Sequence, residues 1–144
     1  MYDCLRGESA LVQRYGPTGV PAWQRRALPL AFPLVARVID RYLDITPESA
    51  AESLEVVREV YDAVGERLAD GRPYLMGDSF TAADLTFAAL SAPLVLPLGY
   101  GVPLPSVEEL PARMAEVVRS LREHPAGAHA LAMYRTERQP PSAR

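Results

Sequence analysis

The feature that most constrains the fold is the run from Thr81 to Leu96, which begins as a helix and then contains almost no polar side chain. After Asp84, only Thr86 and Ser91 interrupt a series of apolar residues. A helix that is apolar on every side is typical of the centre of a helical bundle. The run therefore predicts a buried central helix near 81–96.

The residues at the start of this helix have a recognisable pattern. Thr81 and Asp84 have the spacing of a capping box, in which the Thr81 hydroxyl accepts from the Asp84 N–H and the Asp84 carboxylate accepts from the Thr81 N–H. Phe80 and Leu85 stand where a hydrophobic staple would form, and Gly77 suits a backbone with positive φ. Because the cap accounts for Asp84, all five residues are predicted to be structural.

A second helix is predicted after Thr46, which suits the N-cap position and precedes Pro47. Gly71 and Pro73 indicate its end, which gives it a length of about six or seven turns. Its apolar residues recur every three or four positions and so form one stripe: Leu54, Val57, Tyr61, Val64 and Leu68.

Weaker patterns predict the other helices. A short helix is expected over 2–14, and a helix broken by its prolines over 22–44. After a proline-rich loop, one helix should bury Met114, Val117, Val118 and Leu121, and the last should begin at His124-Pro125, with Ala128, Leu131 and Tyr134 facing inward. No segment alternates apolar and polar residues with the period of two that is typical of a strand. The prediction is therefore an all-α bundle of about five to seven helices over 1–136, followed by a disordered tail, 137–144.

Composition excludes several classes of function. The 144 residues carry a net charge of −3 without a basic cluster, so nucleic acid is not an expected partner. Prolines interrupt the longest uncharged stretch, which argues against a membrane-spanning helix. The first residues lack the pattern of a signal peptide, so none is predicted. The single cysteine, Cys4, fits a reducing cytoplasm. Every basic residue is arginine, which indicates a GC-rich, bacterial coding genome.

The reactive residue types in this sequence do not indicate a catalytic or metal site formed by this chain alone. Cys4 has no neighbouring base to activate its thiol. His124 and His129 lack the carboxylates or cysteines that would complete a metal site. We therefore predict no catalytic residue, no metal ligand and no bound cofactor.

The string from Gly71 to Leu85, GRPYLMGDSFTAADL, resembles the start of the central helix in the C-terminal helical domain of the glutathione transferase superfamily. Three further segments are similar to bacterial members: Gly19–Arg25, Glu109–Ala112 and His124–Gly127. The resemblance covers about residues 2–138. It implies an all-helical domain that forms the hydrophobic wall of the substrate site.

Members of the superfamily usually also have an N-terminal thioredoxin-like domain, which binds the cosubstrate glutathione and supplies the catalytic Ser, Tyr or Cys. By the resemblance, Met1 corresponds to the interior of the first helix of the C-terminal domain, so we expect this chain to lack the thioredoxin-like domain. The resemblance therefore implies a truncated product, a fragment or a remnant, inactive alone, that would pair with a thioredoxin-like domain or form a homodimer through an exposed apolar face.

The resemblance also suggests which residues would contact a hydrophobic substrate. In the superfamily this wall comes mainly from the first helix of the domain and from later loops, which here points to Tyr2, Leu5 and Tyr100. The alternative is that these residues pack the core or cover the docking face of the absent domain. Two other functions stay open: a non-catalytic protein-interaction module, as in translation factors and aminoacyl-tRNA synthetase assemblies, and a small carrier of hydrophobic ligands.

Overall fold

The computed structural model describes residues 14–15, 21, 33–34, 37–38, 41–42 and 46–138. The chain divides into two compact units, Met1–Leu54 and Glu55–Arg144, and each is considered by itself. The predicted helix over 2–14 and most of the predicted helix over 22–44 lie outside the described residues. The same is true of the predicted tail beyond residue 138, and the extent of the domain, 1–136, stays a prediction.

The long helix α1, Pro47–Leu68, begins and ends where its sequence pattern predicts. At the start, the Thr46 hydroxyl accepts from the Ser49 N–H at 3.1 Å, and the Ser49 hydroxyl accepts from the Thr46 N–H at 3.0 Å. At the end, the Gly71 N–H donates to the Leu68 carbonyl at 3.0 Å, and Gly71 adopts a φ of +83°. Both ends of α1 are therefore fixed by local residues.

The rest of the described chain is also helical. Four elements follow α1: α2, Ala82–Val95; a short 3-10 helix, Val107–Glu109; α3, Ala112–Glu123; and α4, Pro125–Thr136. The described part of the chain contains no strand, which confirms the predicted all-α fold. Four α-helices are fewer than the five to seven predicted, and the first predicted ones fall before residue 46. None of the described helices is long and apolar enough to cross a membrane.

All four α-helices contribute to one hydrophobic core. Its buried members come from α1 (Tyr61), α2 (Ala88 and Val95), α3 (Leu121) and α4 (Ala126, Ala130 and Met133). The Tyr61 ring lies 5.6 Å from the Phe87 ring, between centroids, in a tilted arrangement. Several members are alanines, so the helix backbones approach one another closely where they meet.

Burial of α2 is one-sided. Asp84, Ala88, Ser91, Ala92 and Val95 are buried, whereas Leu85 and Leu90 are 59% and 71% exposed. The exposed face could not be recognised from polar residues, because two of the few in this helix, Asp84 and Ser91, lie on its buried face. The exposed leucines leave an apolar surface on α2.

The buried face of α4 differs from the one that the sequence predicts. Ala128, Leu131 and Tyr134 were expected to face inward, but Ala128 is exposed and the other two are half-buried. The buried residues of this helix are Ala126, Gly127, His129, Ala130 and Met133. Apolar side chains occur on every side of α4, so the spacing alone does not define its inner face.

His124 joins α3 to α4. Its Nδ1 accepts from the Ala126 N–H at 3.2 Å and so caps α4, while its Nε2 lies 3.1 Å from Asp62 Oδ1 on α1. Three residues later, Gly127 packs against the end of α3 so closely that an added Cβ would lie 1.8 Å from the Leu121 carbonyl oxygen. This contact fixes how α4 sits on α3.

Arg122 of α3 holds the carboxyl end of α2. Its Nε donates to the Val95 carbonyl at 2.8 Å, and its Nη2 donates to the Leu96 carbonyl at 3.1 Å. These carbonyls have no partner within their own helix, and the end of a helix favours a positive charge. Leu96 has left the helical conformation, with φ of +47°, so its carbonyl needs an external donor.

We expect Arg122→Ala to lower the free energy of unfolding by about 2 kcal/mol, because two hydrogen bonds from a charged group are lost. Arg119→Ala is the matched control: this exposed arginine lies on the same helix, and its removal should change stability by less than about 0.5 kcal/mol. Urea titrations followed by circular dichroism measure both. Equal losses in the two variants would contradict this role of Arg122.

Candidate functional site

The Asp84 carboxylate is completely buried and accepts four hydrogen bonds. Its Oδ2 accepts from the Thr81 N–H at 3.0 Å and from the Thr81 hydroxyl at 2.9 Å. Its Oδ1 accepts from the Leu75 N–H at 2.7 Å and lies 3.1 Å from His129 Nε2. This one side chain therefore connects the start of α2, the loop before it and the middle of α4.

Opposing effects act on the charge of Asp84. Burial raises the pKa of its carboxyl, but the hydrogen bonds from Leu75, Thr81 and His129 together hold that pKa below the usual range. The group is therefore an anion at neutral pH. Because a carboxylate only accepts, His129 must present Nε2 as an N–H donor. The carboxylate is enclosed by its partners, so it reaches neither solvent nor a bound molecule.

The other residues predicted at the start of α2 lie around the loop before it. Gly77 adopts a φ of +115° and exchanges two backbone hydrogen bonds with Tyr74, at 3.0 and 3.1 Å. Phe80 packs edge-on against Tyr74, with 6.0 Å between ring centroids. Phe80 and Leu85 are both partly exposed and lie on the wall of one pocket. Their mutual packing as a staple stays a prediction.

This pocket lies between the start of α2 and the end of α4 and has a volume of about 400 Å³. One wall comes from α2 and from Phe80, two positions before it. The other wall comes from α4 and the two residues after it. The lining residues are Phe80, Leu85, Ala88, Ala89, Met133, Tyr134, Glu137 and Arg138. The walls are apolar and aromatic, and both charged residues stand together at one side. A pocket of this size and lining can hold a small apolar molecule.

Tyr100, one of the predicted substrate contacts, lies beside the pocket without lining it. Its ring centroid is 6.3 Å from that of Tyr134, which does line the pocket. The other two predicted contacts, Tyr2 and Leu5, lie outside the described residues, as does Cys4. The structure therefore brings Tyr100 to the edge of an apolar site and says nothing of the other two.

Sequence reasoning missed most of this pocket. Met133 lies in the last turn of α4 and Arg138 is the second residue after that helix, where the sequence shows only a change from apolar to charged residues. Tyr134 was noted, but as a residue of the core. Among the described residues, no group of three His, Cys, Asp or Glu side chains could hold a metal ion.

The fold and the pocket define a class: an all-helical domain with an apolar pocket between two of its helices. Residues 47–112 match the family described as glutathione S-transferase, C-terminal domain, which supports a domain of this kind in that part of the chain. Comparison with curated proteins and with solved structures found no match. The matched residues include α1, α2 and the α2 wall of the pocket, whereas the α4 wall lies beyond the match. Glutathione is the cosubstrate of the family.

Proposed function

We propose that this chain supplies the substrate-binding, helical part of a glutathione-transferase-like protein in the cytoplasm. The observation that carries the proposal is the apolar pocket of about 400 Å³ between α2 and α4. In the family, the reaction is attack of the glutathione thiolate on an electrophile, or a reduction or isomerisation that depends on glutathione. The pocket would hold the apolar body of the electrophile, and Tyr100 would extend this wall.

The pocket residues do not fit glutathione itself. Glutathione carries two carboxylates, an ammonium group and two amides, so its site needs several hydrogen-bonding groups. Among the lining residues, only Tyr134, Glu137 and Arg138 have polar side chains, and Glu137 already accepts from Tyr74 Oη at 2.9 Å. We therefore propose that a thioredoxin-like domain supplies both the glutathione site and the residue that activates the thiol. The chain alone is then inactive.

A matched pair of leucines on α2 tests the pocket. The purified protein should bind the neutral fluorescent probe N-phenyl-1-naphthylamine saturably, and Leu85→Gln should weaken this binding about tenfold through lost apolar contact. Leu90→Gln is the control, because Leu90 is also an exposed leucine of α2 but does not line the pocket. Fluorescence titration gives Kd for all three proteins.

Two outcomes would overturn the proposal. If the probe does not bind, or if both leucine variants bind it like the unchanged protein, the pocket is not a ligand site. Calorimetric titration with glutathione is the second arm, and we expect no heat of binding. Saturable binding of glutathione, or turnover of a standard electrophile that Cys4→Ser abolishes, would show that the chain has a thiol site of its own.

The second candidate function is a protein-interaction module. The exposed apolar residues outside the pocket favour it, since Leu90 and Leu98 are 71% and 92% exposed. Such surfaces mark association sites, either for a thioredoxin-like domain or for a second copy of this chain. Under this alternative, Leu90→Gln lowers the apparent mass in size-exclusion chromatography, whereas Leu85→Gln leaves probe binding unchanged.

A further inference from the structure

Two opposite charges stand at one side of the pocket, and they differ in how far their neighbours engage them. The Glu137 Oε1 accepts from Tyr74 Oη at 2.9 Å. It also lies 3.1 Å from Thr136 Oγ1, whose single proton is shared with the Ala132 carbonyl at the same distance. The hydrogen bond with Glu137 also raises the pKa of Tyr74, which keeps this hydroxyl a donor. Glu137 therefore already has one full donor from the protein, Tyr74, at one carboxylate oxygen.

Arg138 is in a different situation. Its guanidinium carbon lies 5.6 Å from the centre of the Tyr134 ring, over the ring face. The loop at Gly101 is also close, since an added Cβ there would lie 2.7 Å from Arg138 Nη2. Within the described part of the chain, the ion pairs are Arg58–Glu55, Arg72–Asp70, His124–Asp62 and His129–Asp84, and Arg138 belongs to none of them.

The guanidinium thus lies over an aromatic face and close to a glycine at the edge of an apolar cavity, and among the described residues it has no carboxylate partner. Stacking on a ring leaves the N–H groups at the rim of the guanidinium plane free to donate. These groups can donate to both oxygens of a carboxylate, or to two of the three oxygens of a sulfonate. The ring and the loop restrict the Arg138 side chain before binding, so less side-chain freedom is lost when an anion pairs with it.

We infer that the pocket prefers amphipathic acids, molecules whose apolar body contacts Leu85 and Met133 and whose single carboxylate or sulfonate pairs with Arg138. This inference rests on the proposed function, because it names the substrate class of the same pocket. It adds the requirement that the ligand carries an anionic group, which burial of an apolar body alone does not impose. A neutral molecule of the same shape should bind more weakly.

Two probes that differ by one anionic group test the preference. These are 8-anilino-1-naphthalenesulfonate and N-phenyl-1-naphthylamine, which share the same rings. We expect the sulfonate to bind more tightly to the unchanged protein. Arg138→Gln should weaken sulfonate binding about fivefold to tenfold, and should leave binding of the neutral probe within about twofold. Raising the salt concentration should reduce the preference, since the ion pair is exposed.

Two further variants complete the test. Arg135→Gln is the matched control: Arg135 is an exposed arginine in the last turn of α4 that does not line the pocket, so both probes should bind normally. Glu137→Gln should strengthen sulfonate binding, because it removes the neighbouring negative charge and retains an oxygen acceptor for Tyr74.

The outcomes separate the two proposals. If the neutral probe binds at the pocket but Arg138→Gln does not change sulfonate binding, or if Arg135→Gln weakens it equally, the preference for acids is wrong and the proposed function stands. If neither probe binds, or if Leu85→Gln affects neither, the proposed function fails as well.

Discussion

Asp84→Asn is expected to lower the free energy of unfolding by about 3–5 kcal/mol, because it breaks a buried charged network. The two carboxylate oxygens face donors on both sides: the Leu75 N–H and His129 Nε2 on one, and the Thr81 N–H and hydroxyl on the other. Asparagine has only one oxygen, so its NH₂ group must face donors whichever way the amide is turned. Buried donors are then left without acceptors.

Asp78→Asn is the matched control for this substitution. Asp78 lies in the same loop but is exposed, so its replacement should change stability by less than about 0.5 kcal/mol. Urea unfolding followed by circular dichroism gives both values. If the two variants lost equal stability, the Asp84 network would not contribute as we describe.

The same network gives the stability a defined dependence on pH. The pKa of Asp84 is lower in the folded protein than its usual value, so the folded state favours the anion. This contribution is complete above the usual carboxyl pKa and is lost as the pH falls through the lower, folded-state value. Asp84→Asn should lack this part of the acid sensitivity. The measurement is the free energy of unfolding against pH for the unchanged protein and for Asp84→Asn. If the two curves stayed parallel from pH 7 into the acid range, this role of Asp84 would be contradicted.

Gly127→Ala is expected to lower the free energy of unfolding by about 3 kcal/mol, at the upper end of the range for overpacking. The added Cβ would lie 1.8 Å from the Leu121 carbonyl oxygen and 2.8 Å from the Leu121 carbonyl carbon. These are backbone atoms and no side-chain rotation relieves the overlap. The start of α4 must therefore move away from the end of α3, which also separates His124 from the Ala126 N–H that it caps.

Gly65→Ala is a control for helix propensity. Both glycines lie inside helices, where alanine is favoured over glycine by about 1 kcal/mol. At Gly65 the nearest heavy atom to an added Cβ is His124 Cε1, at 3.0 Å, which belongs to a side chain and can shift. Gly65→Ala should therefore change stability by less than about 1 kcal/mol. Thermal unfolding that placed both variants at the same midpoint would show that Gly127 is not at a close backbone contact.

The lining of the pocket was only partly accessible to sequence reasoning. The family resemblance suggested Tyr100, which the structure places 6.3 Å from Tyr134, beside the pocket. Nothing local in the sequence could indicate that Met133 and Arg138 would face Phe80 and Leu85, because these pairs are about fifty residues apart. A pocket between two helices depends on how the helices pack, and helix spacing does not contain that information.

Within the described residues from 46 onward, the sequence by itself determined several of the helix ends. Thr46 and Pro47 start α1, Gly71 follows its end, and His124-Pro125 separates α3 from α4. These features depend on interactions between residues a few positions apart: caps, the fixed φ of proline, and the freedom of glycine at positive φ. Local chemistry was therefore enough to predict them.

Only the tertiary structure decided which faces of the apolar helices are buried. In α2 and α4, alanine and other apolar residues occur on every side, so no spacing distinguishes the inner face. Contacts between distant residues make the choice: His129 with Asp84, Arg122 with the end of α2, and Gly127 with Leu121. The physical reason is that burial of apolar surface has no direction, whereas hydrogen bonds and close backbone contacts do.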